Sequence, residues 1–509
     1  MRRRRRFVHL VLSTGLLVLL SAPCFPASDG TVDHYQKISD MEGGFGALLD
    51  DGDGFGSPCV ELGDLDNDGV MDVAVGAGGD DDGGTDRGAV YILFLNTDGT
   101  VKSRQKISDT EGGFAGSLDD SDGFPCSGDA LGDLDGDGVT DLAVGALYDD
   151  DGGYNRGAVY ILFLNMDGTV EADQKISDTE GGFTPLLEAW EYFGIAVAGL
   201  GDLDGDGVED LAVGAAGDDD GGEDRGAVYV LFLNADGTVN SHQKISDTQG
   251  AFNAILDNGG SFGRSVETLR DLDGDGVIEL AVGARNDDDG GMNRGAVYIL
   301  SLKTDGTVRA FQKISNSEGG FDGALEDDDR FGDTLASLGR VDEDAVDDLA
   351  VGTYNDDDGG PNRGAVYVLF MNADGTVKGN QKISDTEGNF TALLDDSDEF
   401  GVSIAPLGDL NVDGRMDLIV GAADDDGGAD RGAAYVLFLG HRLPGKGDVN
   451  LDGTINVIDA WMCLQICRNF LVGTAAQCDQ ADIDSDGTIG EDDALAIAEY
   501  IIGMRGSLP

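Results

Sequence analysis

Short runs of five to eight apolar and β-branched residues, separated by Gly/Asp turns, fill most of the chain and predict strands rather than long helices. In the first such group, strand A covers Phe55 to Leu62, B covers Asp72 to Ala77 and C covers Ala89 to Leu95. Strand D starts near Thr100 and ends in Lys106-Ile107-Ser108. The group then repeats. Gln-Lys-Ile-Ser begins at Gln36, Gln105, Gln174, Gln243, Gln312 and Gln381, a constant step of 69 residues. Phe55, Phe124, Phe193, Phe262, Phe331 and Phe400 keep the same step, as do Phe45, Phe114, Phe183, Phe252, Phe321 and Phe390. A fixed period of this kind marks repeated supersecondary units.

Six four-stranded units predict an all-β, six-bladed β-propeller over residues 29–440, a fold whose radial closure leaves only short sheet edges. The ends of the array agree with closure. Asp29-Gly30-Thr31-Val32 through Ser39 reads as a D strand with no A, B or C before it, and the last unit stops at Gly440 without a D. Joined, the two fragments complete one blade, giving six blades rather than seven.

The apolar run Phe7 to Leu20, behind Arg2 to Arg6 and before the small-residue stretch Ser21 to Ala27, reads as an export signal over residues 1–27. It falls short of the roughly 20 residues needed to cross a bilayer, and no other run is long enough. The expected product is secreted or cell-surface. With 99 Asp or Glu against 32 Lys or Arg, the formal charge is −67. Nucleic acid is excluded as a partner on that charge, because affinity for a polyanion comes from Lys and Arg neutralising phosphates.

Many of the acids are spaced for chemistry. Between A and B the first unit has Asp64, Asp66, Asp68 and Asp72 around Gly69, and the spacing recurs as Asp133, Asp135, Asp137 and Asp141, then as Asp202, Asp204, Asp206 and Asp210. The fourth unit has Asp271, Asp273, Asp275 and Glu279, and the sixth has Asp409, Asn411, Asp413 and Asp417. Oxygen donors at alternate positions, followed by a turn glycine, suit Ca²⁺ more than Mg²⁺. Carboxylates brought so close repel one another unless a cation neutralises them. In the fifth unit Arg340 replaces the first donor and Ala345 the glycine, so Arg340 is expected to stand in for the ion, or the site to hold none.

Together, Phe-Gly in strand A, Gly-Asp-Leu-Asp-Gly-Asp-Gly-Val-x-Asp, Leu-Ala-Val-Gly-Ala and Arg-Gly-Ala-Val-Tyr resemble the FG-GAP repeat of integrin α-chain propellers, over about residues 29–440. The resemblance implies extracellular binding or adhesion. It does not carry over a binding surface: integrin members have seven blades, and each unit here adds an acidic segment between D and A.

Antiparallel strands place the A→B and C→D turns on one face and the B→C and D→A connections on the other. The second face collects Asp-Asp-Asp-Gly-Gly loops starting at Asp80, Asp149, Asp218, Asp287, Asp356 and Asp424, and is expected to be strongly anionic. Arg87, Arg156, Arg225, Arg294, Arg363 and Arg431 open the C strands beside these acids and are expected to make structural salt links.

After Pro444-Gly445-Lys446-Gly447 the period drops to 34 residues. One 12-residue loop offers Asp448, Asn450, Asp452, Thr454, Asn456 and Asp459, the next Asp482, Asp484, Asp486, Thr488 and Asp493, with Asp at the last position where an EF-hand has Glu. Each loop precedes an apolar helical segment, Ala460 to Phe470 or Ala494 to Ile502. Two such loop–helix units resemble a type I dockerin over residues 447–504, after a linker at 441–446 and before a tail at 505–509. The resemblance implies calcium-dependent folding and docking onto a cohesin-like partner. At loop positions 10 and 11 the halves differ, Val457-Ile458 against Glu491-Asp492, which argues against a symmetric docking mode. The expected ions are about five in the propeller and two in the dockerin. Among Cys59, Cys126, Cys463, Cys467 and Cys478 the pairing is left open.

No catalytic set stands out: His34, His242 and His441 occupy no repeated position, and no phosphate loop or zinc set is present. Trp190, with Glu188, Glu191 and Tyr192, interrupts the acidic pattern of the third unit and is the one idiosyncratic aromatic site, a candidate sugar or peptide contact. The sequence thus predicts a non-catalytic, calcium-stabilised adhesion or binding propeller for a protein or glycan ligand. The alternative is a lectin or a polysaccharide hydrolase or lyase delivered to a dockerin–cohesin assembly.

Overall fold

A computed structural model describes residues 29–274, 276–342, 344–425, 430–440 and 461–464. The expected signal at 1–27, Asp275 and both 12-residue loops near the C-terminus lie outside the described residues. Among the described residues, no helix is long and apolar enough to cross a membrane.

Twenty-four strands form six sheets of four, each antiparallel in the order A-B-C-D. In the first blade the strands are Phe55–Gly63, Asp72–Ala77, Ala89–Leu95 and Val101–Ser108, close to the sequence reading. The sixth blade is completed as expected: Val32–Ile38 pairs antiparallel with Ala433–Leu439, with Tyr35 opposite Leu437 and Lys37 opposite Tyr435. Strand A departs from expectation in three blades. It begins at Ser127, Thr334 and Ser403 in the second, fifth and sixth, past the repeated phenylalanine.

The repeated aromatics explain the period. Phe45, from the crossover, and Phe55, at the start of strand A, meet Tyr91 of strand C with ring centroids 4.6 to 5.9 Å apart. The same three-ring contact recurs as Phe183, Phe193 and Tyr229. Each added segment between D and A therefore seals its blade with a buried ring, and offset or edge-on ring contacts of this kind exceed simple area burial. B strands are buried throughout because neighbouring blades cover them. The glycine of Ala-Val-Gly-Ala marks the closest approach: a Cβ on Gly214 would lie 2.0 Å from the carbonyl oxygen of Gly263 in the next blade.

Candidate metal loops and the opposite face

The last acid of each A→B loop begins strand B and is buried. Asp72 accepts the N–H of Leu65 at 3.0 Å and, across the blade, that of Leu95 at 3.2 Å. Asp141 repeats this with Leu134 and Leu164, and Asp210 with Leu203 and Leu233. This acid ties the loop to strand C, a bracing role that spacing alone did not reveal. The earlier acids fold the turn around themselves: Asp64 accepts N–H groups from Asp68 at 2.8 Å and Gly69 at 2.9 Å.

With the turns fixed this way, carboxylate oxygens converge. Asp64, Asp66 and Asp72 each bring one within 4.8 Å of the others, as do Asp133, Asp135 and Asp141, and Asp202, Asp204 and Asp206. Among the described residues no such gathering occurs in the fourth, fifth or sixth blade. Burial pushes Asp72, Asp141 and Asp210 up to about 6, against backbone hydrogen bonds that lower them, and nearby Asp66, Asp135 and Asp204 push the same way. Three converging carboxylate oxygens, one of them on a buried acid in the first two clusters, fit a hard cation that takes oxygen donors.

The blades differ at the second residue of strand D. Lys102 sets its ammonium on Asp66 at 2.7 Å and also on Asp68. Arg309 reaches Asp273, and Lys378 bridges Asp342 at 2.7 Å and Asp344. The same register holds Glu171, Asn240 and Asp33 in the second, third and sixth blades. The expected stand-in, Arg340, does not serve: its Nε lies 3.9 Å from Asp347 and it is largely exposed, while Lys378 neutralises the fifth loop. Arg340 sits on the loop itself, whereas the lysine arrives from a neighbouring strand.

On the opposite face the acids have built-in partners. The lysine of each Gln-Lys-Ile-Ser reaches over a core tyrosine to the Asp-Asp-Asp loop of its own blade. Lys106 lies 2.7 Å from both Asp80 and Asp82, and 5.6 Å from the Tyr91 ring centroid. Lys175 repeats this with Asp149 and Asp151, and Lys382 with Asp356 and Asp358. In the sixth blade the partner of Lys37 is Asp425, so the structural register there starts one residue after Asp424. The strongly anionic face expected from sequence is thereby tempered. The C-strand arginines are structural, as expected: Arg87 joins Asp109 at 2.8 Å to Asp120 at 2.9 Å in the crossover, and Arg431 likewise joins Asp40 to Asp51.

Trp190 is 47% exposed, edge-on to Tyr154 at 4.6 Å. His34 stacks on Phe438 with Nδ1 3.1 Å from Asp33, and burial lowers His242 beside Phe183. Cys59 and Cys126 are free thiols.

Comparison with known proteins agrees with this architecture. The FG-GAP repeat family matches residues 60–93, 127–162, 193–231, 262–300 and 400–437, and the Dockerin type I domain matches residues 446–502. Integrin alpha-3 of Cricetulus griseus is 32% identical over 203 residues, which is 39% of this chain and 17% of that protein. Integrin alpha-PS2 of Drosophila melanogaster is 32% identical over 231 residues, 44% of this chain and 15% of that one. Integrin alpha-V of Gallus gallus is 36% identical over 158 residues, 30% and 14%. The chain thus spans less than a fifth of the length of these relatives. Six four-stranded blades, acid loops at each A→B turn where the repeats match, and the separate C-terminal match lead to one conclusion: the chain is an FG-GAP repeat β-propeller that carries a type I dockerin domain.

Proposed function

We propose that residues 29–440 form a calcium-stabilised, non-catalytic binding module of an exported protein, and that residues 447–504 tether it to a cohesin-like partner. The observation that carries this reading is the convergence of three carboxylates in each of three consecutive A→B hairpins. Asp68, Asp137 and Asp210 complete the donor sets of those loops. The fourth and sixth loops supply two further sites, through Asp271, Asp273, Asp275 and Glu279 and through Asp409, Asn411, Asp413 and Asp417. Two more ions belong to the dockerin loops. A module of this kind presents a rigid face to a protein or glycan ligand, with the dockerin fixing its place in an assembly.

The test is calorimetric titration of the chelated protein with Ca²⁺, alongside incubation of the calcium-loaded protein with a polysaccharide panel. Calcium uptake by the ring with no new reducing ends or unsaturated products is the expected result. Product release would favour a hydrolase or lyase instead.

A further inference from the structure

The face opposite the metal loops holds a cavity lined by residues that the other repeats do not share. It has a volume of about 660 Å³ and opens between the second, third and fourth blades. That size is typical of small-molecule sites.

Its tryptophan stands where the other blades have Gly, Ser or Asp. Trp190 and Tyr192 occupy left-handed backbone, with φ of 73° and 57°. At the register of Trp190 other blades have Gly52, Ser121, Gly259, Asp328 and Ser397, and at that of Tyr192 they have Gly54, Gly123, Ser261, Arg330 and Glu399. A bulky side chain at positive φ is unfavourable. Turn formation therefore does not account for the tryptophan. Tyr148 and Trp190 are each more than two-fifths exposed, and Tyr148 meets Tyr192 edge-on at 5.8 Å.

The inner wall carries a local surplus of positive charge. Arg264 and Arg285 both lean on a single carboxylate, Asp333, with Arg264 Nη2 at 3.2 Å and Arg285 Nη1 at 3.0 Å. Asp333 is fully buried, while the two guanidiniums keep about a quarter of their surface. By contrast Lys106 and Arg87 each face two acids, although Arg270 and Arg340 also share one carboxylate, Asp347. Arg285 Nε is buried without a hydrogen-bond partner, while Arg264 Nε lies 3.1 Å from Asp333. Buried polar groups normally find partners, so an unmet donor calls for an explanation. The lining also includes Asp219, Glu223, Asp224 and Asn286.

We infer that this cavity binds an acidic sugar of the uronate class within an oligosaccharide. The ring faces of Trp190, Tyr148 and Tyr192 suit the flat C–H face of a pyranose. The paired guanidiniums suit one carboxylate, in the forked geometry arginine prefers, and the lining carboxylates accept hydroxyl donors. Those same carboxylates, in a chain of charge −67, disfavour a densely sulfated glycan. This deepens the binding reading proposed above and rests on it.

The test uses the full chain in excess calcium. Trimers of galacturonate, glucuronate and mannuronate are titrated calorimetrically, each beside its methyl ester, with a sulfated galactose trimer and a peptide bearing a free C-terminus as further arms. At least one uronate trimer should bind at least tenfold tighter than its ester. Trp190→Gly restores a residue used at this register in other blades and should weaken binding at least tenfold with the melting temperature unchanged. Arg285→Ala, alanine being the residue at 216 and 423, should bring acid and ester to equal affinity. The inference falls if no uronate trimer binds, if acid and ester bind alike, if the sulfated trimer or the peptide binds better, or if Trp190→Gly binds as wild type. A calcium-dependent melting temperature would still stand in any of those cases, whereas release of reducing ends would sink only the non-catalytic reading.

Discussion

The propeller solves the same electrostatic problem in two ways on its two faces. In the B→C loops Asp80 and Asp82 are answered by Lys106 from the same blade, and the arrangement recurs through Lys175, Lys244, Lys313 and Lys382. In the A→B loops of the second and third blades the described neighbours supply no ammonium, and three carboxylates converge on one another. A carboxylate cluster can be held by a fixed side chain or by a mobile ion. Only the second choice makes stability depend on the concentration of free cation.

Chelation should therefore give the largest effect. Each ion that binds only the folded ring contributes about 2.7 kcal/mol at a hundred times its dissociation constant. Removing all of them should lower the melting temperature steeply, as followed by near-ultraviolet circular dichroism. The B→C loops would be untouched, so a melt that ignores chelator would erase the distinction between the faces.

Next comes Lys175→Met. Its side chain is 14% exposed, and its ammonium touches Asp149, whose side chain is 3% exposed, and Asp151. Removing one partner of a buried pair leaves an uncompensated charge, with a cost of about 3 kcal/mol or more. Denaturant unfolding in saturating calcium should show that loss, and Lys102→Met, at a more exposed site, should lose far less.

How much of this was legible in the sequence follows from range. The 69-residue step, the strand order and the closing strand at Val32–Ile38 were readable because apolar periodicity and turn residues act locally. The acid spacing named the loops for the same reason. The partners were not readable. Lys106 lies 26 residues from Asp80, and Lys378 lies 36 from Asp342, so each meeting depends on how strands pair within a blade. Arg340 is next to the fifth loop's acids in sequence, but the ammonium that reaches Asp342 and Asp344 comes from Lys378 in strand D. The cavity by Trp190 was only half visible: the tryptophan was conspicuous, but Arg264 and Arg285 belong to the next blade and join it only through ring geometry.

A third, smaller test works inside the metal-loop face. Lys102 competes with any ion for Asp66 and Asp68, whereas Glu171 holds that register in the second blade. Lys102→Ala should raise calcium affinity at the first loop about tenfold, roughly 1.4 kcal/mol. Glu171→Lys should lower it at the second loop by a similar factor. Calorimetric isotherms of the two variants that superimpose on wild type would show that strand D has no say in ion binding.

The smallest effect concerns acids that neither solution serves. Burial pushes Asp53 and Asp122 up to about 6, and Glu191, Asp329 and Asp398 up to about 7. All five occupy one register of the crossover, each accepting an N–H from three residues earlier, Asp398 that of Asp395 at 2.6 Å. For Asp398, burial acts first and Asp425 raises it further, while the hydrogen bond from the Asp395 N–H and the charge of Lys37 oppose them. A carboxyl raised on folding holds a proton that the unfolded chain releases near pH 4. Its contribution to stability is therefore present at low pH and is lost as pH climbs from about 4 to about 7. Asp398→Asn keeps an acceptor for the Asp395 N–H and removes the titration. In excess calcium the variant should gain on wild type as pH rises from 5 to 7.5, by roughly 2 °C in melting temperature, the order expected of about 1 kcal/mol in a chain of this size. Parallel profiles across that range would mean that this crossover acid, like its neighbours in the B→C loops, already has its counter-charge.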